Sequence, residues 1–221
     1  MVKKSIYAIY GASGCGRGVM PLARDMLNKR HKAAEFDLVF VDDHPPAEVV
    51  NGHSVLTYEQ FLATEVNEKY ICAAIADSAT RKKLSDRCEY DGISFFPVVA
   101  GNTVVMDEVV IGEGSILGPF VTLTSNINIG RHFHANIYSY VEHDCVIGDY
   151  VTFAPAVKCN GNVVIEDYAY IGAGAILRQG KPGDPLVIGS GAIVGMGAVV
   201  TQNVSKEMTV VGNPAHPLIK S

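Results

Sequence analysis

From Val105 onward, every sixth residue is apolar. The series runs Val105, Ile111, Leu117, Leu123, Ile129, Ala135, Val141, Ile147, Phe153, Cys159, Ile165, Ile171 and Leu177. A second series stands four residues further on in each step, from Val109, Ser115 and Val121 to Ala169 and Ala175. Glycine often follows the first series, at Gly112, Gly118, Gly130, Gly148 and Gly172. A period of six is neither the 3.6 of a helix nor the 2 of a strand. It predicts a parallel β-helix of hexapeptides, each giving one short strand and one turn. Three hexapeptides make a triangular coil of 18 residues, and coils stack about 4.8 Å apart. The glycines are expected to permit the tight corners. The phase breaks at "RQGKPGDPL" and resumes at Ile188, Val194 and Val200. That segment, near 178–187, is expected to loop out of the prism, and Gly180, Pro182, Gly183 and Pro185 suit a loop.

Residues 1–98 follow another pattern. "SIYAIYGASG" is an apolar strand running into glycines, and "RGVMPLARDMLNKR" has apolar residues at helical spacing. "FDLVFVDD", "KYICAAIAD" and "ISFFPVV" read as further strands. "TYEQFLA" is a short helix with Thr57 as N-cap, and "SATRKKLSDRCEYDG" a helix capped by Ser78 and stopped near Gly92. Strands alternating with helices predict a small parallel α/β unit. The expected domains are therefore 1–98, α/β, and 99–221, a β-helix with a C-terminal tail.

Composition narrows the classes. The chain has 221 residues, 48% of them hydrophobic, and a net charge of −5. That supports a packed core and argues against a nucleic-acid partner, which requires a basic face. The one dense basic run, Arg81-Lys82-Lys83, reads as a solvated helix face. No apolar run approaches the ~20 residues that span a bilayer. The start "MVKKSIYAIYGAS" has too short an apolar run for a signal peptide and reads as the first strand. Five cysteines without a CxxC pair fit a reducing cytosol, so a cytoplasmic location is expected. Cys145 and Cys159 fall on inward steps and are expected to be inert core thiols.

Candidate chemistry concentrates in "YSYVEHDCVIGDYV", where His143 lies between Glu142 and Asp144. Its ordinary pKa of ~6.5 lets it accept a proton near neutrality. A corner histidine bonded to backbone is the competing reading. In "GASGCG", Gly11, Ser13 and Gly14 follow a strand and open a helix, where free N–H groups suit a phosphate. Asp42 and Asp43 end the second strand at the carboxyl edge, where α/β units bind ligands. Asp77 follows the third strand and is either a ligand contact or a helix N-terminal acid. His132 and His134 raise the question of a metal. An 18-residue coil would stack them on Tyr150 and Thr152, so no metal site is expected.

The hexapeptide run, "VEHDCVIGDYVTFAP", "IGAGAIL", "GSGAIVGMGAVV" and the ending "VVGNPA" resemble the left-handed β-helix acyltransferases. With "YGASGCGRGV" and "FVDD", the whole chain resembles nucleotide-sugar N-acetyltransferases that modify 4-amino-4,6-dideoxy sugars. It looks closest to the perosamine N-acetyltransferases of O-antigen synthesis, relatives of the sialic acid O-acetyltransferases. The resemblance implies a Rossmann-like N-terminal domain, a left-handed prism and a homotrimer. It further implies acetyl-CoA in a groove between neighbouring prisms, and a nucleotide-sugar, GDP-perosamine foremost, held partly by the N-terminal domain. His143 would be the base and Asp144 would orient its ring. Asn136 would lie near the sugar amine, with Glu142 a further substrate contact or a solvent-facing acid. Backbone at Gly161, Ala173 and Gly174 would meet acetyl-CoA, or those glycines serve corner geometry alone. Lys181 would meet a CoA phosphate or stay solvated. Many relatives carry a second histidine where this chain has Thr152, and a histidine where it has Cys15. The open alternatives are a dTDP- or UDP-linked substrate, a sugar O-acetyltransferase, a non-catalytic scaffold and a zinc hydrolyase.

Overall fold

The computed structural model describes residues 4–218 except residue 33, so Met1 to Lys3 of the basic start and the last three residues of the tail lie outside it. The chain divides into two compact units, Met1–Gly101 and Asn102–Ser221.

The first unit is an α/β sheet. Its elements are β1 (Ser5–Tyr10), α1 (Gly14–Arg30), β2 (Phe36–Val41), β3 (Val49–Val50), β4 (His53–Leu56), α2 (Tyr58–Ala63), β5 (Lys69–Ala73), α3 (Ser78–Tyr90) and β6 (Ser94–Phe95). They order as β3-β4-β2-β1-β5-β6, with every pairing parallel except β3 with β4. β1 is an unbroken apolar run because a central parallel strand is covered on both faces. Ile6, Ala8, Tyr10, Val39, Val41 and Ile71 pack with Tyr58 and Phe61 of α2 and Cys88 of α3. Helix α1 buries Val19, Met20, Ala23, Met26 and Leu27.

Three expectations need correcting here, the first being the solvated face read at Arg81-Lys82-Lys83: Arg81 is fully buried, its Nη1 donating to the carbonyls of Ile75 and Ala76. The cap of α3 is Asp77, whose carboxylate accepts the Thr80 amide at 2.7 Å; Ser78 is the first helical residue. "ISFFPVV" forms two short pieces, Ser94–Phe95 and Val98–Val99, because Pro97 cannot donate to a ladder. The β3–β4 hairpin was not anticipated. Thr57 does cap α2, in a full capping box with Gln60.

The second unit is the expected parallel β-helix. Three stacked sheets form its faces. One aligns Ile116, His134, Thr152, Tyr170 and Ile193; the next Val104, Thr122, Tyr140, Lys158, Ile176 and Val199; the third Val110, Asn128, Val146, Val164 and Val187. Coils repeat every 18 residues until Tyr170 pairs with Ile193 and Val164 with Val187, a step of 23. The extra residues form the loop the broken phase predicts. Lys181 and Asp184 bridge each other there, with Pro182 and Gly183 (φ 78°) at the tip, the residues a type II turn requires.

The inward series is buried from Leu117 to Leu177. Val105, 44% exposed, and Ile111, half-buried, are the exceptions, because an end coil has a neighbouring coil on one side only. The corner glycines also work differently from the expectation. The left-handed residue of each corner falls later, at Phe120, Asn126, His132, Tyr138, Asp144, Tyr150, Ala156, Asn162 and Tyr168, all with φ between 55° and 63°. None of these is β-branched, which would be the costliest choice there. The glycines instead clear space between coils. A Cβ at Gly130 or Gly148 would lie 2.3 Å from the carboxylate of Asp149 or Asp167. Those carboxylates accept the amides of Arg131 and Asp149 at 2.7 and 2.8 Å.

Candidate active site

His143 sits on the prism edge between the strands Tyr140–Val141 and Val146–Ile147. Val141 and Cys145 point inward on either side of it, each 1% exposed, and fix the corner. The repeat demands a left-handed residue at 144, and aspartate tolerates that conformation. Its carboxylate then reaches back to the preceding ring: His143 Nδ1 and Asp144 Oδ2 are 2.7 Å apart. With Asp144 ionised, Nδ1 carries the proton and Nε2 keeps its lone pair. The hydrogen bond to Asp144, with the charges of Asp144 and Glu142, raises the His143 pKa above its ordinary value. The ring is about half exposed, so a reagent can reach it.

One coil on from His143 lies Gly161. A Cβ there would stand 2.7 Å from both Cε1 and Nε2 of His143, so the ring lies directly over the glycine. Gly161 in turn accepts the Gly180 amide at 2.9 Å, which ties the extruded loop to the same edge. Lys181 is exposed on that loop. Glu142 is half-buried, and its amide donates to the Cys159 carbonyl. Cys145 and Cys159 lie beneath, both buried as core thiols; their mutual hydrogen bond and burial raise the Cys159 thiol well above its usual pKa, while the same hydrogen bond lowers that of Cys145. An open groove beside Asp144 is lined by Glu108, Val110, Asn126, Asn128 and Val146.

Two residues here were not singled out from the sequence. The Tyr140 hydroxyl donates to Asn160 Oδ1 at 3.0 Å, and Asn160 Nδ2 donates to the Leu177 carbonyl at 2.7 Å. Coil arithmetic could have found Asn160, which stands 18 residues after Glu142.

Asn136, Ala173 and Gly174 belong to a different edge, between the first and second faces. Asn136 is exposed, and its Oδ1 accepts the Ile137 amide at 2.7 Å. The Gly174 amide donates to the Pro155 carbonyl at 2.9 Å, while Ala173 is exposed. On the same edge the Phe120 and Tyr138 rings stack, 5.0 Å apart and exposed. Within one chain, then, the histidine and these three residues occupy successive edges of the prism. On the remaining edge, His132 stacks on Tyr150 at 4.8 Å, and on the first face His134 pairs with Thr152, as an 18-residue coil predicts. Among the described residues no group of three or more His, Cys, Asp or Glu could hold a metal ion.

In the first unit, Gly11 (φ 107°), Ser13 and Gly14 form the turn into α1. Ser13 is the N-cap residue, yet its side chain makes no capping bond. Asp42 accepts the amides of Ala12 and His44 at 2.9 and 3.0 Å, so it braces this turn. Asp43 accepts the Tyr10 hydroxyl at 2.8 Å and Arg87 Nη1 at 3.0 Å; the other arm of Arg87 binds Glu59. Asp77 is occupied as the cap of α3, and the Thr80 bonds lower its pKa. Desolvation raises the Cys15 thiol, opposite to the shift that would activate it.

Residues 7–88 match the PglD N-terminal domain family. Over 217 residues, 98% of each chain, the protein is 49% identical to GDP-perosamine N-acetyltransferase of Escherichia coli O157:H7. The chain belongs to the GDP-perosamine N-acetyltransferase family. Its likeness to the family extends to solved structures. WeeI from Acinetobacter baumannii AYE superposes with a TM-score of 0.93 at 55% identity, covering 97% of this chain and all of that one. PerB from Caulobacter crescentus, solved in complex with CoA and GDP-perosamine, gives 0.84 at 26% identity, covering 96% and 97%. The family is one of acetyltransferases, and the likeness covers the α/β unit and the β-helix alike.

Proposed function

We propose that the protein transfers acetyl from acetyl-CoA to the 4-amino group of a nucleotide-linked 4-amino-4,6-dideoxyhexose, GDP-perosamine foremost. The observation that carries this reading is the His143–Asp144 pair, held on a rigid prism edge with Nε2 available, in a chain 49% identical to GDP-perosamine N-acetyltransferase. His143 Nε2 takes a proton from the amine as its nitrogen attacks the thioester carbonyl. The C–N bond forms, the tetrahedral oxyanion collapses, and the C–S bond breaks. The imidazolium returns the proton to the departing thiolate, so no covalent enzyme intermediate is required. The exposed backbone at Ala173 faces the oxyanion in this scheme, and Lys181 meets a phosphate of CoA. The α1 turn (Gly11, Ser13, Gly14) and Asp43 take the nucleotide, and Asp42 holds the turn in shape.

Asn136 and Ala173 stand on a different edge from His143, so one chain does not bring them to one reaction. An edge-to-edge arrangement of copies does, and this supports the homotrimer with acetyl-CoA between neighbouring prisms. We place the enzyme in the cytoplasm, a reading supported by its five free cysteines.

The test is release of free thiol from acetyl-CoA with a panel of GDP-, dTDP- and UDP-linked 4-amino sugars and their 4-hydroxy counterparts. Thiol release with the GDP-linked sugar, stoichiometric with N-acetylated product, is expected. Release only with a sugar lacking the amine overturns N-acetylation in favour of an O-acetyltransferase. No release with any sugar that nonetheless binds points to a scaffold.

A further inference from the structure

The His143 ring lies against Gly161 of the next coil. The φ of Gly161 lies outside the left-handed region, so its backbone would accept alanine. What excludes a side chain is the His143 ring, at 2.7 Å from the place of a Cβ through both Cε1 and Nε2 and at 3.1 Å through Nδ1. These are the atoms that matter for proton transfer and for the bond to Asp144. No backbone atom lies within the three nearest contacts of that position. An added methyl would therefore meet the free end of a half-exposed side chain, which can swing away without disturbing the coil.

We infer that Gly161 is a positioning residue: its missing side chain lets the His143 ring lie flat against the next coil, in reach of Asp144. This rests on the reading of His143 as the base. It assigns Gly161 a role other than admitting acetyl-CoA to the main chain. The two roles predict opposite kinetic signatures. Loss of a seat lowers kcat, because the base is misplaced, while loss of a cofactor contact raises the KM for acetyl-CoA.

Gly161→Ala in the full-length protein tests this. The expected result is a folded enzyme whose kcat is down by about 10²-fold, within the range a general base supplies, with the KM for acetyl-CoA unchanged. Because the displaced ring loses its bond to Asp144, the acid limb of the pH profile should move to lower pH. In a His143→Ala background the same substitution should have no further effect on kcat, since residues acting as a unit are non-additive. An equal loss in both backgrounds overturns the seat, as does a loss confined to the KM for acetyl-CoA. If His143→Ala alone is nearly harmless, the base reading fails first and separately. Should the alanine variant not fold, the wild-type protein still decides. A strong proton–proton Overhauser effect between the Gly161 α-protons and the His143 ring is expected, and its absence contradicts the seat.

Discussion

His132 and His143 are both corner histidines of one prism, and they fare oppositely. Each ring lies against a glycine one coil away, Gly114 for His132 and Gly161 for His143. The His132 ring is also covered on the far side by Tyr150, which continues to Tyr168 at 5.5 Å, and it is wholly buried. The His143 ring has a carboxylate at its edge and remains about half exposed. His132 is itself the left-handed residue of its corner, whereas His143 precedes one. A shift of one place in the hexapeptide therefore separates a core histidine from a reachable one. The repeat supplies the rigid frame, and what stands one coil away decides whether a side chain packs or reacts.

That contrast can be broken by substitution. Leaving His143 itself aside, the largest effect of the series is expected at Asp144. Asp144→Asn should lower kcat by about 10²-fold, since it removes the group that fixes the ring's tautomer. It should also shift the acid limb to lower pH, because Asp144 is what raises the His143 pKa. A variant retaining more than about half the wild-type rate across pH would separate the two residues functionally. His132→Ala should reverse the pattern, destabilising the fold by about 3 kcal/mol through loss of a buried ring and leaving kcat within about twofold of wild type. Denaturant unfolding and steady-state rates measured together decide it, and lost turnover in a stable His132→Ala protein would undo the contrast. Asp43→Asn sharpens it from the other unit. With Tyr10 and Arg87 holding Asp43, the variant should raise the KM for the nucleotide sugar about tenfold, the worth of one charged hydrogen bond, with kcat intact. Lys181→Ala should be mildest, at most about threefold in the KM for acetyl-CoA, as expected for an exposed, salt-screened charge. A larger effect there would mean the loop does more than offer a lysine.

The prism was legible because a period of six leaves few alternatives, and burial from Leu117 to Leu177 follows it. The corner conformations were not. Tyr138, Tyr150 and Tyr168 adopt left-handed backbone although nothing in a tyrosine announces it. The coil imposes that conformation; Gly130 and Gly148 answer to spacing between coils, while Gly114 and Gly174 hold left-handed corner positions themselves. In the first unit the β3–β4 hairpin did carry a signal, Asn51-Gly52 between Val49-Val50 and Ser54-Val55. It lay hidden behind the prolines at 45 and 46. Asp77 and Ser78 are both good caps, so composition alone did not rank them. His143 and Asp144 were singled out from their place between inward anchors and from family resemblance together, and the structure pairs their side chains. The Tyr140–Asn160 pair emerged only when successive coils were laid on one another. The separation of His143 from Asn136 and Ala173 onto different edges needed the three faces in space.

The central claim is that neutral His143 removes the proton from the acceptor amine. The measurement that tests it most directly is the pH dependence of kcat/KM for GDP-perosamine in the wild-type protein and in His143→Ala. The account predicts an acid limb in the wild type whose pKa lies above the ordinary histidine value, because Asp144 holds the imidazolium. It predicts that this limb vanishes in the alanine variant along with about 10²–10⁴-fold of the rate. An unchanged limb with a loss under about fivefold would contradict it, since the ionisation would then belong to the amine and no base on the enzyme would be required.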